Sequence, residues 1–421
     1  MKKYPTLIKF SDTDNNTIPQ YYDYAVGIDK VKDVLTEKLG HNYKLYDAED
    51  SFDEVDDTLE QILQRNEIDI EILASVYDAI ATSTIKYNDT EKYSVRPSLI
   101  NNIFYFPDYE VAIVKLPIYQ SHMEYVHDLI FAKDDTCVLA FLNYMIKKQR
   151  EFMLDGITVL TDTEDGLERT REKITYQVQR NDILLEDHVK TDIFRSIDEF
   201  FHKSGAFFKE YNIPYKRGIL LYGSPGNGKT TLVKSIAGSV SAPVVYWQIT
   251  EYTSSYSIKE VFDTLTRMAP MILIIEDIDS MPEEARSVFL NTLDGATSKE
   301  GIFLIGTTNY PEKIDPALIN RAGRFDRAYE IKQPDGALRY EYLHKKGLTN
   351  FLSDEMLIKL TKQTKGLSIA QLNELYMSIA LQWHYEKQVD IDKTVKDLQE
   401  THRKTMKREW EIVENIGRMG F

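Results

Sequence analysis

The chain has 421 residues, more than one hydrophobic core usually supports, and its 43% hydrophobic composition with 11% aromatics is ample to bury two or three domains. With 67 acidic against 51 basic residues the formal charge is −16, a field that repels nucleic acid and anionic membrane surfaces. A single cysteine, Cys137, excludes an intramolecular disulfide and a thiolate metal site; it reads as a small buried hydrophobe in a reducing compartment.

Met1-Lys2-Lys3-Tyr4-Pro5 leads into charged and polar residues without the apolar core of a secretion signal, and no run of about 18 apolar residues occurs. A cytoplasmic protein with no transmembrane segment is therefore expected. Residues 1–178 alternate strand-like runs, such as Tyr109 to Val114, with helical patterns, such as Val138 to Phe152, and predict an N-terminal α+β domain. Asp47, Glu49, Asp50, Asp53, Glu54, Asp56, Asp57 and Glu60 form an acidic run without ligand spacing or a turn glycine, so it reads as a solvated helix or loop.

From about Asp182 short apolar runs alternate with amphipathic helices, the pattern of a parallel sheet covered on both faces. The spacing predicts strands at Gly218–Tyr222, Val244–Trp247, Met271–Ile275 and Ile302–Ile305. Helices are predicted at 231–240 and from Ser257, where Ser257 and Glu260 form a capping box. After Pro334 only helical periodicity remains, including a capping box at Ser368 and Gln371. The division is thus 1–178 N-terminal α+β, 179–333 large α/β nucleotide-binding, and 334–421 helical.

Gly223-Ser224-Pro225-Gly226-Asn227-Gly228-Lys229-Thr230 matches G-x-x-x-x-G-K-T between a predicted strand and helix, the context that makes it a phosphate loop. Its amides, the start of the helix at Thr231, Lys229 and Thr230 suit the phosphates of ATP, with Thr230 on Mg²⁺. Glu276 and Asp277 end a buried strand where α/β sheets place ligands. The reading puts Glu276 on Mg²⁺ and Asp277 on the attacking water. Asn309, after the fourth strand, suits orienting water against the γ-phosphate, and Asp279 reads as structural or as support for an interface. Arg321, Arg324 and Arg327 lie within seven residues, a cluster that surface salt bridges would also explain.

In this order the motifs resemble the AAA family of AAA+ ATPases from about Leu184 to Leu381. The resemblance implies a P-loop α/β fold with a C-terminal helical lid. It also implies that Arg321 and Arg324 reach a neighbour's ATP in a ring, most often a homohexamer. Most AAA+ proteins have Asp then Glu where this chain has Glu276-Asp277. That order, with Tyr211 to Gly223, is similar to the Bcs-type branch, which includes a mitochondrial translocase of a folded iron–sulfur protein. The resemblance implies ATP-driven remodelling of protein substrates, with residues 1–178 as the substrate or partner platform. In the loop Glu251 to Ser257, Tyr252 or Tyr256 would face a central pore or simply pack. Gly366-Leu367-Ser368 resembles the motif that contacts adenine. Two other readings are an ATP-gated scaffold with weak hydrolysis and a nucleic-acid motor served by the basic tail His402-Arg403-Lys404 and Lys407-Arg408, against which the acidic balance argues.

Overall fold

The computed structural model describes residues 5–8, 24–46, 53–65, 70–88, 92–120, 123–172, 178–294, 300–319 and 324–406. The chain divides into two compact units, Met1–Phe152 and Met153–Phe421.

The first unit runs β1 (Thr6–Ile8), α1 (Tyr24–Leu39), β2 (Lys44–Tyr46), α2 (Asp53–Arg65), β3 (Glu71–Tyr77), β4 (Ser83–Asn88), β5 (Lys92–Pro97), β6 (Asn102–Phe106), β7 (Val111–Gln120), β8 (Met123–Ala132) and α3 (Asp135–Met153). Among the described residues six strands form a sheet in the order β1-β3-β6-β7-β8-β2, and β4 pairs only with β5. Apart from the parallel β1–β3 pair, the neighbours are antiparallel. Alternation along β7 sorts the core: Ala112 and Val114 pack with Val31 and Leu35 of α1, whereas Val111 and Ile113 pack with Leu59 of α2 and Phe141 of α3. Both faces are covered, which explains why Val111 to Val114 are apolar without a break. It starts at Val111 rather than Tyr109, because Pro107–Tyr109 make a 3₁₀ turn closed by Glu110 at φ 51°. The acidic run supplies α2 from Asp53 onward; Asp47, Glu49 and Asp50 lie outside the described residues.

The second unit continues with β9 (Ile157–Thr163), β10 (Gly166–Glu172), α4 (Asp187–Phe201), α5 (Ala206–Glu210), β11 (Lys216–Tyr222), α6 (Lys229–Ala237), β12 (Val244–Gln248), α7 (Ser255–Met268), β13 (Met271–Glu276), α8 (Glu283–Asp294), β14 (Ile302–Thr308) and β15 (Arg327–Glu330). Four helices follow: α9 (Gly336–Lys345), α10 (Asp354–Gln363), α11 (Ile369–Glu386) and α12 (Ile391–Met406). The sheet order is β10-β9-β12-β13-β14-β11-β15, parallel except for the β9–β10 hairpin. Ile272 and Ile274 face the α4 and α6 layer, and Leu273 and Ile275 face α7 and α8, so the doubly covered α/β arrangement read from the sequence holds. The last four helices close on their own core around Leu343, Leu360, Leu372 and Leu375.

Two local expectations shift. The hairpin 157–172, read with the N-terminal region, pairs into the second sheet beside β12. Asp162 fastens it there, its carboxylate accepting from Trp247 Nε1 at 2.9 Å and Thr253 Oγ1 at 2.5 Å. Helix α7 begins earlier than Ser257, because Ser254 caps it and shares the capping box with Ser257 rather than Glu260. The box at Ser368 and Gln371 forms as read.

Candidate functional site

Parallel pairing carries three strand ends to one edge. Tyr222 of β11 stands opposite Thr308 of β14, and Ile275 of β13 opposite Gly306 of β14, so the residues that follow these strands converge. The turn after β11 opens with Gly223 at φ 142°, where a Cβ would lie 2.5 Å from the carbonyl oxygen of Ile331. Only glycine lets the chain turn there against that carbonyl. α6 begins at Lys229, directly after Gly228 at φ 93°.

Lys229 is buried, and its ammonium donates to the carbonyls of Gly223 (2.6 Å) and Ser224 (3.2 Å) and to Asn309 Oδ1 (2.7 Å). Asn309 in turn donates through Nδ2 to Asp277 Oδ1 at 3.1 Å. One amide thus links the loop lysine to the second carboxylate. Burial pushes the Lys229 ammonium below its ordinary value, with Asp277 and then Asp279 opposing the fall. Asp277 adopts φ 49°, and its backbone amide donates to Thr307 Oγ1 at 3.1 Å, fixing the chain as it leaves β13. Asp279 accepts from Thr308 Oγ1 at 2.6 Å, a local tie between the ends of β13 and β14.

Glu276 differs from its neighbour. Burial raises its carboxyl pKa, a hydrogen bond from Thr230 opposes the rise, and the Asp277 charge adds to it. Its Oε1 is buried without a hydrogen-bond partner. Such an oxygen beside a threonine hydroxyl forms the start of a hard, all-oxygen donor set that suits Mg²⁺. Asn227 is also buried with Oδ1 unpartnered, while its Nδ2 donates to Ser224 O at 3.3 Å and braces the loop.

These groups line a cavity of about 680 Å³ that includes Pro225, Gly226, Gly228, Lys229, Thr230, Thr231, Glu276, Asp277, Thr307 and Asn309. The rest of the lining was legible in the sequence only near Gly366-Leu367-Ser368, next to Ile369. It comes from Val178, Asp182 and Leu184 ahead of α4, from Tyr342, Lys345 and Lys346 at the end of α9, and from Ile369, Ala370 and Asn373 of α11. Tyr342 donates to Asn373 Oδ1 at 3.1 Å, and the amide of Ala370 donates to Gly226 O at 2.9 Å, joining the helical part directly to the phosphate loop. The residues from α9 and α11 lie more than a hundred positions from the loop, and only the tertiary fold gathers them.

The arginines behave differently from the motif residues. Arg324 is 3% exposed, its guanidinium closed on the Asp294 carboxylate and the carbonyl of Ala317. It is tied within its own chain, because a buried guanidinium requires local acceptors and these two supply them. Arg321 lies outside the described residues. Tyr252 and Tyr256 are 47% and 74% exposed.

Residues 219–333 match the profile of the ATPase family associated with various cellular activities (AAA), so this stretch is an AAA domain. The chain is similar to the ATP-dependent zinc metalloprotease FtsH of Pseudomonas putida, 30% identical over 233 residues that cover 49% of this chain and 37% of that protein. It is 32% identical over 232 residues to that of Endomicrobium trichonymphae, covering 50% and 36%, and 30% identical over 233 residues to that of Aquifex aeolicus, also covering 50% and 36%. The chain therefore spans a little over a third of the length of these relatives. Among the described residues no helix is long and apolar enough to cross a membrane.

Proposed function

We propose that this protein is an ATP-hydrolysing ring ATPase of the AAA family that remodels protein substrates. The observation that carries the reading is the single sheet edge where Lys229, Thr230, Glu276, Asp277 and Asn309 meet across one cavity beneath the helical lid. Lys229 stands ready to exchange its carbonyl acceptors in the loop for phosphate oxygens. Asp277 is the base that polarises the attacking water, and Asn309, already hydrogen-bonded to it, orients that water. Thr230 and Glu276 hold Mg²⁺, which when bound neutralises charge on the phosphates.

Assembly completes the site. Arg321 reaches the ATP of the next subunit in a homohexamer, while Arg324 is held by Asp294 of its own chain. The similarity to ATP-dependent metalloproteases supports ATP-driven work on proteins. The Glu276-Asp277 order supports placement in the Bcs-type branch, and the single free cysteine supports a cytoplasmic setting.

Steady-state phosphate release tests the chemistry. Lys229→Ala should lower turnover by at least a hundredfold, of the order expected when a phosphate-stabilising group is removed, and Asp277→Asn should still bind ATP but retain it unhydrolysed. Turnover that survives Lys229→Ala sinks the site assignment. A wild-type protein that binds ATP and releases almost no phosphate would instead favour the scaffold reading, to which the inverted carboxylate order points.

A further inference from the structure

A two-stranded ribbon normally turns its apolar face toward its own domain. β4 and β5 do the reverse. Their register pairs Ile85 with Val95 and Tyr87 with Tyr93, so these four share one face, and the two rings meet edge to face at 5.3 Å. They are 71%, 62%, 64% and 75% exposed respectively, whereas Thr84, Lys86, Ser94 and Arg96 on the other face are half-buried. Lys86 pairs with Glu60 of α2, which turns the polar face toward the unit that carries the ribbon.

Among the described residues no third strand joins either edge, so the outer backbone groups of both strands are open to pairing. With roughly 200 Å² for each ring and somewhat less for each aliphatic side chain, the exposed apolar face is on the order of 500 Å². That lies in the upper half of the range for the largest patch on a monomer, about 300–600 Å². It falls short of the roughly 800 Å² per partner that a stable dimer buries.

We propose that this ribbon docks extended segments of substrate polypeptides, which add as a third strand and lay alternate apolar side chains beside Ile85, Tyr87, Tyr93 and Val95. This rests on the reading that the ATPase acts on proteins. Strand addition supplies affinity through the backbone, and the exposed face selects apolar residues at every second position. The intervening positions fall on the face that carries Arg96, so acidic residues there match it. The connection Asp89-Thr90-Glu91 is acidic in a chain of charge −16, which disfavours an anionic lipid surface as the occupant.

The test measures fluorescence anisotropy of labelled, reduced and carboxymethylated α-lactalbumin, an unfolded acidic polypeptide, with the full chain. Two double variants are compared with wild type: Tyr87→Thr/Tyr93→Thr, and Ile85→Thr/Val95→Thr, which keeps β-branched side chains and hence the ribbon. Both should weaken probe binding at least tenfold while basal ATP turnover and sedimentation stay unchanged. Unchanged probe affinity in both variants overturns the assignment and leaves the protein-acting reading standing. Retained probe affinity with a smaller assembly on sedimentation assigns the face to a second copy instead. Retained probe affinity with lost binding to phosphatidylglycerol vesicles assigns it to membrane. A wild-type protein that turns over ATP yet binds no probe removes the protein-acting reading and the docking assignment together.

Discussion

The two sheets differ in what their strand ends do. In the second unit six parallel strands deliver their C-terminal ends to one edge, where the ends of β11, β13 and β14 hold Lys229, Asp277 and Asn309 in one hydrogen-bonded line. The first unit is mostly antiparallel, and its longest pair, β7 and β8, runs up and back with Val111 opposite Ala132 and Gln120 opposite Met123. Antiparallel neighbours end at opposite edges, so no common rim of chemistry accumulates. What this unit displays instead is a face, the outward ribbon of β4 and β5. Parallel topology concentrates polar groups at a line, whereas antiparallel topology presents surface.

If that contrast is right, the first unit can be weakened without touching turnover. Phe141 is fully buried against Phe106, with ring centres 4.8 Å apart, and removing its ring should cost that unit about 4 kcal/mol. Phe141→Ala should therefore melt part of the molecule early in calorimetry while basal phosphate release in the folded state stays within about twofold, too small a change to signal a lost catalytic contact. Loss of turnover at temperatures where far-ultraviolet dichroism is still native would break the comparison.

A smaller insult in the second unit should do more chemical damage. At Gly218 in β11 an added Cβ would sit 1.8 Å from the carbonyl oxygen of Arg324, a backbone atom that cannot swing away. The same glycine is held at both ends, its amide donating to Asp326 Oδ2 at 3.0 Å and its carbonyl accepting from the Asp326 amide at 2.9 Å. Gly218→Ala should cost about 3 kcal/mol and displace the Arg324 loop. Both the denaturation midpoint and ATP turnover should fall; a stability equal to wild type would mean that the close approach is not there.

How far this was legible in the sequence follows from how local each feature is. The phosphate loop declares itself because eight consecutive residues supply both the turn and the cradle. The continuously apolar β13 reads as a buried strand for the same reason. Nothing local tells β9 and β10 which sheet to join: β10 has only Leu167 and Arg169 half-buried and the rest exposed, as an edge strand in either sheet would. The start of α7 shifts because Ser254 and Ser257 offer the same hydroxyl chemistry three positions apart. Arg324 illustrates the harder limit, since an arginine suited to a neighbour's phosphate is equally suited to Asp294, and only the fold shows which acceptor is near.

Within the site, Asn309 separates positioning from binding. Its two hydrogen bonds run to Lys229 and Asp277, so its removal leaves the cradle intact but frees the base and the water it directs. Asn309→Ala should lower kcat about tenfold or more, roughly 1.4 kcal/mol of barrier per decade, with KM nearly unchanged. A rise in KM at constant kcat would place Asn309 in ground-state binding instead.

The gentlest test lies where the helical lid meets the loop. Ser368 caps α11 by accepting from the Gln371 amide at 3.3 Å, and the Gln371 side chain returns to the Ser368 amide at 2.8 Å. Between these two residues the amide of Ala370 donates to Gly226 O, so the cap sets the first turn that touches the phosphate loop. Ser368→Ala should cost about 1 kcal/mol, the ordinary value of an N-cap hydroxyl. Because the loss falls on the cavity wall formed by Ile369, Ala370 and Asn373, it should weaken ATP binding a fewfold while leaving the rate of bound-ATP hydrolysis unchanged. Ser368→Asp, which supplies another capping oxygen at the same helix start, should restore the affinity. If it does not, the serine acts through the nucleotide itself rather than through the helix.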